Sequence, residues 1–244
     1  MNVLCVIPAR YASTRLHGKP LKDIAGKPMI CRVYERAAKA SRVAAAIVAT
    51  DDSRIYDAVL QHGGEAVMTR KDHPTGTDRL AEVAEKYPDV DLIINVQGDE
   101  PLIEPKLIDE LAAAFDGDAD LQMATVCTEI TDEAEQQNPN NVKVVMDKQG
   151  YALYFSRSLM PYPRHPGTPV YKHIGIYAYK RDFLLAYAKM AETPLEHAES
   201  LEQLRALENG YRIKVIKTPY RFVGVDTAED LAKVNAIYRQ MMQG

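Results

Sequence analysis

The sequence predicts an α/β fold: a doubly wound, mostly parallel sheet with an inserted β-rich sub-domain. Three observations carry this. Short continuous apolar runs alternate with segments of helical spacing up to about residue 130. The connections between them are short. From roughly 130 to 190 the texture changes to closely spaced strands and proline-rich loop. Alternation with short connections demands right-handed crossovers and a sheet covered on both faces. The 244 residues suffice for a single domain over 1–244, and by area scaling its folding removes roughly 70% of the unfolded surface from water.

Each element has its own signal. "NVLCVI" (2–7) is a continuous apolar strand, and "PMICRVYERAAKA" (28–40) has helical spacing. "AAIVAT" (45–50), a polar-faced helix over about 52–62 and "EAVMT" (65–69) continue the alternation. A helix from Asp78 to about Tyr87 leads to "DLIINVQ" (91–97), the most strand-like run, followed by helix 105–115 and strand "LQMATVC" (121–127). "VKVVMDKQGYALYF" (142–155) reads as two strands around a Lys-Gln-Gly turn, a hairpin signal. "HIGIYAYK" (173–180) alternates as a strand. Thr193, Pro194 and Glu196 open a helix with a capping box, and Asn209-Gly210 stop it, which predicts one helix over 193–210. "YRIKVIKT" returns as a strand, and a closing helix is apolar at Leu231, Val234, Tyr238 and Met241.

Composition excludes several classes. A formal net charge of −4 argues against a general nucleic-acid binder. No apolar stretch approaches the ~20 residues that a spanning helix needs, so no membrane partner is expected. "MNVLCVIP" enters a strand without a basic leader, and the cysteines Cys5, Cys31 and Cys127 form no CxxC pair. Both features lead us to expect a cytoplasmic protein with reduced thiols.

The chemistry gathers where strands end. "VIPARYASTRLHGKP" (6–20) places Arg10, Arg15 and Lys19 just beyond the first strand, with Ser13 and Gly18 among them. In an open parallel sheet ligands bind outside the carboxyl ends of strands. Three cations there suit a triphosphate, Arg as a planar fork and Lys as a point charge; a solvated basic loop is the plainer alternative. Neither G-x-x-x-x-G-K-[ST] nor G-x-G-x-x-G is present. "NVQGDEP" (95–101) sets Asp99 above the sheet, with Gly98 expected to allow a sharp turn. In "VGVDTAED", either Asp226 or Thr227 can cap the last helix, with Glu229 or Asp230 completing a box. Two carboxylates near phosphate-clasping cations fit Mg²⁺, which takes one or two carboxylates plus substrate phosphates. In "PTGTDRLAEV" (74–83), Thr75, Thr77 and Asp78 can cap a helix, while Gly76 would let backbone approach a flat base.

Together "IPARYASTRLHGKPL", "VATDD", "TGTDRLAEV", "NVQGDEPLI", "NPNNVKVV", "GYALYFSR", "KHIGIYAY", "PLEHAESLEQLRALENG" and "GVDTAEDL" resemble the 3-deoxy-manno-octulosonate (KDO) cytidylyltransferases, over nearly the whole chain and in the same order. The resemblance implies a Rossmann-like nucleotidyltransferase fold. It also implies transfer of CMP from CTP to the anomeric hydroxyl of KDO, for lipopolysaccharide biosynthesis, with Mg²⁺, in a cytoplasmic homodimer. Carried over by residue, it implies that Ala9, Arg10, Ser13, Arg15 and Lys19 hold CTP, with Gly76, Thr77 and Arg79 by its cytosine and ribose. Asp99 and Asp226 match the magnesium carboxylates. Gln97, Arg157, His173, Tyr177, Glu202 and Gln203 match the sugar pocket, with Arg157 expected to fork onto the sugar carboxylate. Arg10, Arg15, Lys19, Asp99 and Asp226 would then be the catalytic set. His17 departs from the family, which commonly has Pro before Gly-Lys. The competing expectations are a CTP-dependent activator of a related acidic sugar (8-amino-KDO or sialic acid) and a non-catalytic nucleotide-binding module.

Overall fold

The computed structural model describes residues 1–12, 16–165, 167–220 and 222–243. The chain divides into two compact units, residues 1–109 with 222–244, and residues 110–221. The 130–190 stretch lies within the second.

The first unit begins with β1 (Val3–Ala9), a two-residue hairpin of β2 (Asp23–Ile24) and β3 (Lys27–Pro28), and α1 (Met29–Ala37). It continues through β4 (Ala45–Thr50), α2 (Ser53–Gln61), β5 (Ala66–Met68), α3 (Gly76–Lys86) and β6 (Leu92–Asn95). The division between units falls within α4 (Pro105–Ala113). The strands pair in parallel in the order β6-β1-β4-β5. β1 and β6 are apolar runs because both faces of the sheet are covered: Val3 to Ile7 and Leu92 to Ile94 are all buried. From β1 the chain steps outward through α1 and α2 to β5, then returns through α3 to β6 on the other side of β1. Right-handed crossovers therefore put α3 on the face opposite α1 and α2. The direction of winding reverses between β1 and β6, where the carboxyl ends of adjacent strands open a crevice.

The second unit contains β7 (Met123–Ile130), α5 (Glu133–Gln137), β8 (Lys143–Met146), β9 (Ala152–Ser156), β10 (Val170–Lys180), α6 (Arg181–Tyr187), α7 (Pro194–Glu199), α8 (Gln203–Glu208) and β11 (Ile213–Lys217). β10 runs antiparallel to β7 and β8, β11 is parallel to β7, and β8–β9 is the expected hairpin. The single helix expected over 193–210 is two. The Thr193–Glu196 capping box opens α7 as predicted, but Ser200 adopts a left-handed conformation (φ 51°) and ends it. Leu201 then turns inward, 6% exposed, and α8 starts afresh.

α9 (Ala228–Met241) returns to the first unit. Val234 and Tyr238 pack with Ile24, Met29 and Val225 in one apolar cluster. The Tyr238 hydroxyl donates to the Pro101 carbonyl (2.5 Å), and Asn235 bonds backbone on both Asp23 and Ala25. Met241, expected on the apolar face, is 54% exposed because the helix outruns that cluster by its last turn. Among the described residues no helix is long and apolar enough to cross a membrane.

Candidate functional site

The crevice between β1 and β6 holds a cation shared by two carboxylates. Lys19 Nζ lies 2.7 Å from Asp99 Oδ2 and 3.0 Å from Asp226 Oδ1. Three separate stretches of chain meet there, each for an identifiable reason. Gly18 is left-handed (φ 63°), and a Cβ on it would lie 3.1 Å from the Tyr11 ring, so glycine is favoured before the short Lys19–Leu21 turn. Gly98 stands in the expected turn, closed by the Glu100 amide on the Gln97 carbonyl (3.2 Å), but its φ is not positive; what requires glycine there is close approach. A Cβ there would lie 2.8 Å from the Pro8 carbonyl oxygen at the end of β1. Asp226 is brought alongside by the Val225 amide, which donates to the Asp99 carbonyl (2.9 Å).

The capping ambiguity of the last helix also resolves. Thr227 is the N-cap and Asp230 closes the box, with Asp230 accepting from the Thr227 amide and hydroxyl. The Asp226 side chain is thereby left out of the cap and turned to Lys19. Burial works to lower the pKa of the Lys19 ammonium, but the charge and hydrogen bond of Asp99, with those of Asp226, raise it overall. The ammonium keeps its positive charge.

An open cleft of about 310 Å³ at this point is lined by Ala9, Arg10, Lys19, Gln97, Asp99 and Asp226, among others. Arg10 is exposed, and its Nη2 donates to the His73 carbonyl (3.0 Å). Ser13 and Arg15, expected at the triphosphate, lie outside the described residues. Gly76 and Thr77 open α3 behind a Thr75–Asp78 capping box, and a Cβ on Gly76 would meet nothing within 4 Å among the described residues. Arg79, expected beside the nucleoside, is fully buried; its Nη1 donates to Thr69 Oγ1 and lies 3.7 Å from Asp51. Burial lowers its pKa against the opposing charge of Asp51. Its position is that of an internal brace between α3 and the ends of β4 and β5.

Gln97 belongs to the first unit; the other residues expected at a sugar cluster in the second. His173 and Tyr177 lie 5.3 Å apart between ring centres, on either side of a bulge where Ile174 pairs with Val126 but Tyr177 with Thr125. The Thr125 hydroxyl donates to the Ile176 carbonyl (2.8 Å), so it accepts from His173 Nε2 (3.0 Å), which fixes the Nε2–H tautomer. Burial pushes His173 down to about 3, leaving it neutral at physiological pH. Burial, then the charge of Glu202, pushes the Tyr177 phenol up. Glu202 and Gln203 begin α8, held by the Tyr187 hydroxyl on the Glu202 carbonyl (2.6 Å); the buried Gln203 Nε2 finds no hydrogen-bond partner among the described residues.

Arg157 differs from the fork expected of it. Its guanidinium donates to the carbonyls of Glu199 (2.7 Å), Ser200 (3.3 Å) and Pro139 (3.3 Å), stapling the left-handed turn between α7 and α8. Among the described residues no group of three or more His, Cys, Asp and Glu gathers as a metal cluster. The cysteines are buried and unpaired.

Sequence reasoning passed over His73. Its side chain is buried, Nε2 lies 2.5 Å from Glu82 Oε2 on α3, and its carbonyl receives Arg10. In "RKDHPTG" it stands among polar residues, and nothing in that pattern marks it as buried.

The cytidylyltransferase family matches residues 4–215 of this chain. The 3-deoxy-manno-octulosonate cytidylyltransferase of Fusobacterium nucleatum is 58% identical over 235 residues, covering 96% of each chain. That of Geobacter metallireducens is 54% identical over 246 aligned positions, again 96% of each. A solved structure of CMP:2-keto-3-deoxy-manno-octonic acid synthetase complexed with CTP matches with a TM-score of 0.95 at 48% identity, covering 99% of this chain and 100% of that one.

Proposed function

The chain belongs to the 3-deoxy-manno-octulosonate cytidylyltransferases, and on that premise we propose how its residues carry the transfer. It is a nucleotidyltransferase of CTP and KDO: the sugar's anomeric oxygen bonds to the α-phosphorus of CTP, the bond to the β-phosphate bridging oxygen breaks, and pyrophosphate leaves with that electron pair. The hydroxyl's proton passes to solvent.

For phosphoryl-type transfer a protein contributes mainly positioning and charge neutralisation. The observation that carries the assignment is the convergence of Asp99 and Asp226 on one cation beside Arg10, at the switch point of the sheet. Arg10 and Lys19 neutralise the triphosphate and the departing pyrophosphate, with Arg15 as the third cation. At an effective dielectric of about 20, each close cation–phosphate pair is worth on the order of 4 kcal/mol before desolvation. Ala9 lines the same tail, and the family resemblance assigns Ser13 to it. Gly76 and Thr77 present backbone at the start of α3 to the nucleoside, and Arg79 supports them from inside. His173, Tyr177, Glu202 and Gln203 receive the sugar, and Gln97 lines the cleft beside Asp99. Arg157 holds the turn that presents Glu202 and Gln203.

Magnesium fits this site, because the two carboxylates already converge on a point that accepts a positive charge, and two carboxylates are the complement magnesium takes when phosphates complete its shell. When bound, it neutralises phosphate charge and acidifies a nearby hydroxyl. The buried, unpaired thiols support the cytoplasmic setting that the family resemblance implies. The family resemblance supports a homodimer, which sedimentation of the purified chain at about twice its monomer mass would bear out.

The test is pyrophosphate release from CTP plus KDO, with and without Mg²⁺, with 8-amino-KDO and sialic acid in parallel. Release with KDO that requires Mg²⁺ is expected. Activity on another acidic sugar alone would reassign the substrate. CTP binding with no release from any of them would make the chain a binding module.

A further inference from the structure

The cation that the two carboxylates hold is the protein's own. Lys19 Nζ lies within hydrogen-bond distance of both Asp99 and Asp226, and its side chain is only 16% exposed. A divalent ion bound by these carboxylates and the ammonium compete for the same oxygens. A lysine stem is flexible and its head a compact point charge, so it can leave for a nearby anion without moving backbone. Arg10, which lines the same cleft, is anchored instead to the His73 carbonyl.

We propose that Lys19 is a placeholder cation, which blocks the divalent-ion site in the nucleotide-free protein and is drawn off by the incoming polyphosphate, so that nucleotide binding opens the metal site. The inference rests on the reading that Asp99 and Asp226 hold the metal. Three properties follow. The nucleotide-free protein binds divalent ions weakly, because a site open in about one-tenth of molecules binds about tenfold more weakly than one always open. Nucleotide strengthens metal binding twice, by adding phosphate ligands and by removing the competitor. By linkage, metal strengthens nucleotide binding by the same factor. The ammonium also offsets one of the two carboxylate charges, so the cleft repels an anionic nucleotide arriving before its metal less than the bare carboxylates would.

The experiment measures Mn²⁺ binding directly, from the electron paramagnetic resonance signal of free Mn²⁺, with and without CTP and no sugar. The proteins are wild type, Lys19→Met, Lys19→Gln, Asp99→Asn and Asp226→Asn. The expected result is that both Lys19 variants bind Mn²⁺ about tenfold or more tightly than wild type without nucleotide. CTP should then raise Mn²⁺ affinity by a smaller factor in them than in wild type, and Lys19→Met combined with Asp99→Asn should abolish the gain. Two lysine variants guard against one that misfolds, and thermal unfolding identifies it. Nucleotide-free Mn²⁺ binding in both Lys19 variants no tighter than wild type overturns the placeholder. If Asp99→Asn and Asp226→Asn still remove CTP-dependent Mn²⁺ binding, the assignment of the metal carboxylates stands without it. If those two variants bind Mn²⁺ with CTP as wild type does, that assignment itself fails.

Discussion

Replacing Gly98 by alanine adds one methyl group where the chain has no room for it. The new Cβ would lie 2.8 Å from the Pro8 carbonyl oxygen, 3.4 Å from Ile30 Cδ1 and 3.8 Å from Ala9 Cβ. The Ile30 side chain can rotate away, but the Pro8 oxygen cannot, because β1 is registered against β4 on one side and β6 on the other. A carbon–oxygen contact needs about 3.3 Å or more, so the Gln97–Glu100 segment must retreat by about 0.5 Å. Asp99 moves with it, which disturbs the 2.9 Å bond from the Val225 amide to the Asp99 carbonyl and the placing of Asp99 against Asp226. Overpacking of this kind costs about 1–3 kcal/mol, which in a chain of this size lowers the melting temperature by about 2–12 °C. A misplacement of about 1 Å at a reacting centre can cost about a hundredfold in rate, so a loss of about tenfold in kcat is expected here. Thermal unfolding followed by circular dichroism and pyrophosphate release at saturating CTP and KDO read the two effects. A variant with wild-type melting temperature and wild-type kcat would refute the claim that close backbone approach at Gly98 sets Asp99 in place.

Gly76→Ala is the converse case: its Cβ meets nothing within 4 Å among the described residues. It should melt as wild type while the KM for CTP rises about tenfold, and an unchanged KM would remove Gly76 from the nucleoside site. Asp99→Asn should lower turnover about a hundredfold or more while leaving CTP binding, measured by calorimetry without metal, largely intact; normal turnover would defeat the catalytic role. His173 supplies the pH test. Burial depresses its folded value to about 3, below the ordinary 6.5 of an imidazole, so the stability it contributes is full above pH 6.5 and drains as pH falls from 6.5 toward 3. Urea unfolding of His173→Gln across that window should show a flatter pH dependence than wild type, and parallel curves would count against a buried neutral imidazole.

Much of the fold was legible because strands buried on both faces cannot hide their apolar runs, and β1 and β6 have them. The gathering of cations after β1 was legible for a related reason, since the end of a parallel strand is a place where ligands bind. What the sequence withheld depends on contacts between distant segments. Ser200 carries no turn signature, and its left-handed conformation, stapled by Arg157, is visible only once residues 157 and 199–200 are adjacent. The same contact explains why Arg157 reads as a free fork and acts as a brace. Thr227 and Asp226 are equivalent as caps on paper, and the Val225–Asp99 hydrogen bond together with Lys19 separates their roles. The turn at Gly98 is legible in the sequence, but the close approach that makes glycine necessary there, a missing Cβ that leaves space for the Pro8 carbonyl of β1, is not.

The position of the metal relative to the two aspartates is the most direct measurement. In a crystal of the protein with Mn²⁺ and CTP, the anomalous signal of manganese should lie within coordination distance of both Asp99 and Asp226, with the Lys19 ammonium moved onto phosphate. A manganese peak remote from both carboxylates, with Lys19 still bridging them while CTP is bound, would contradict the account.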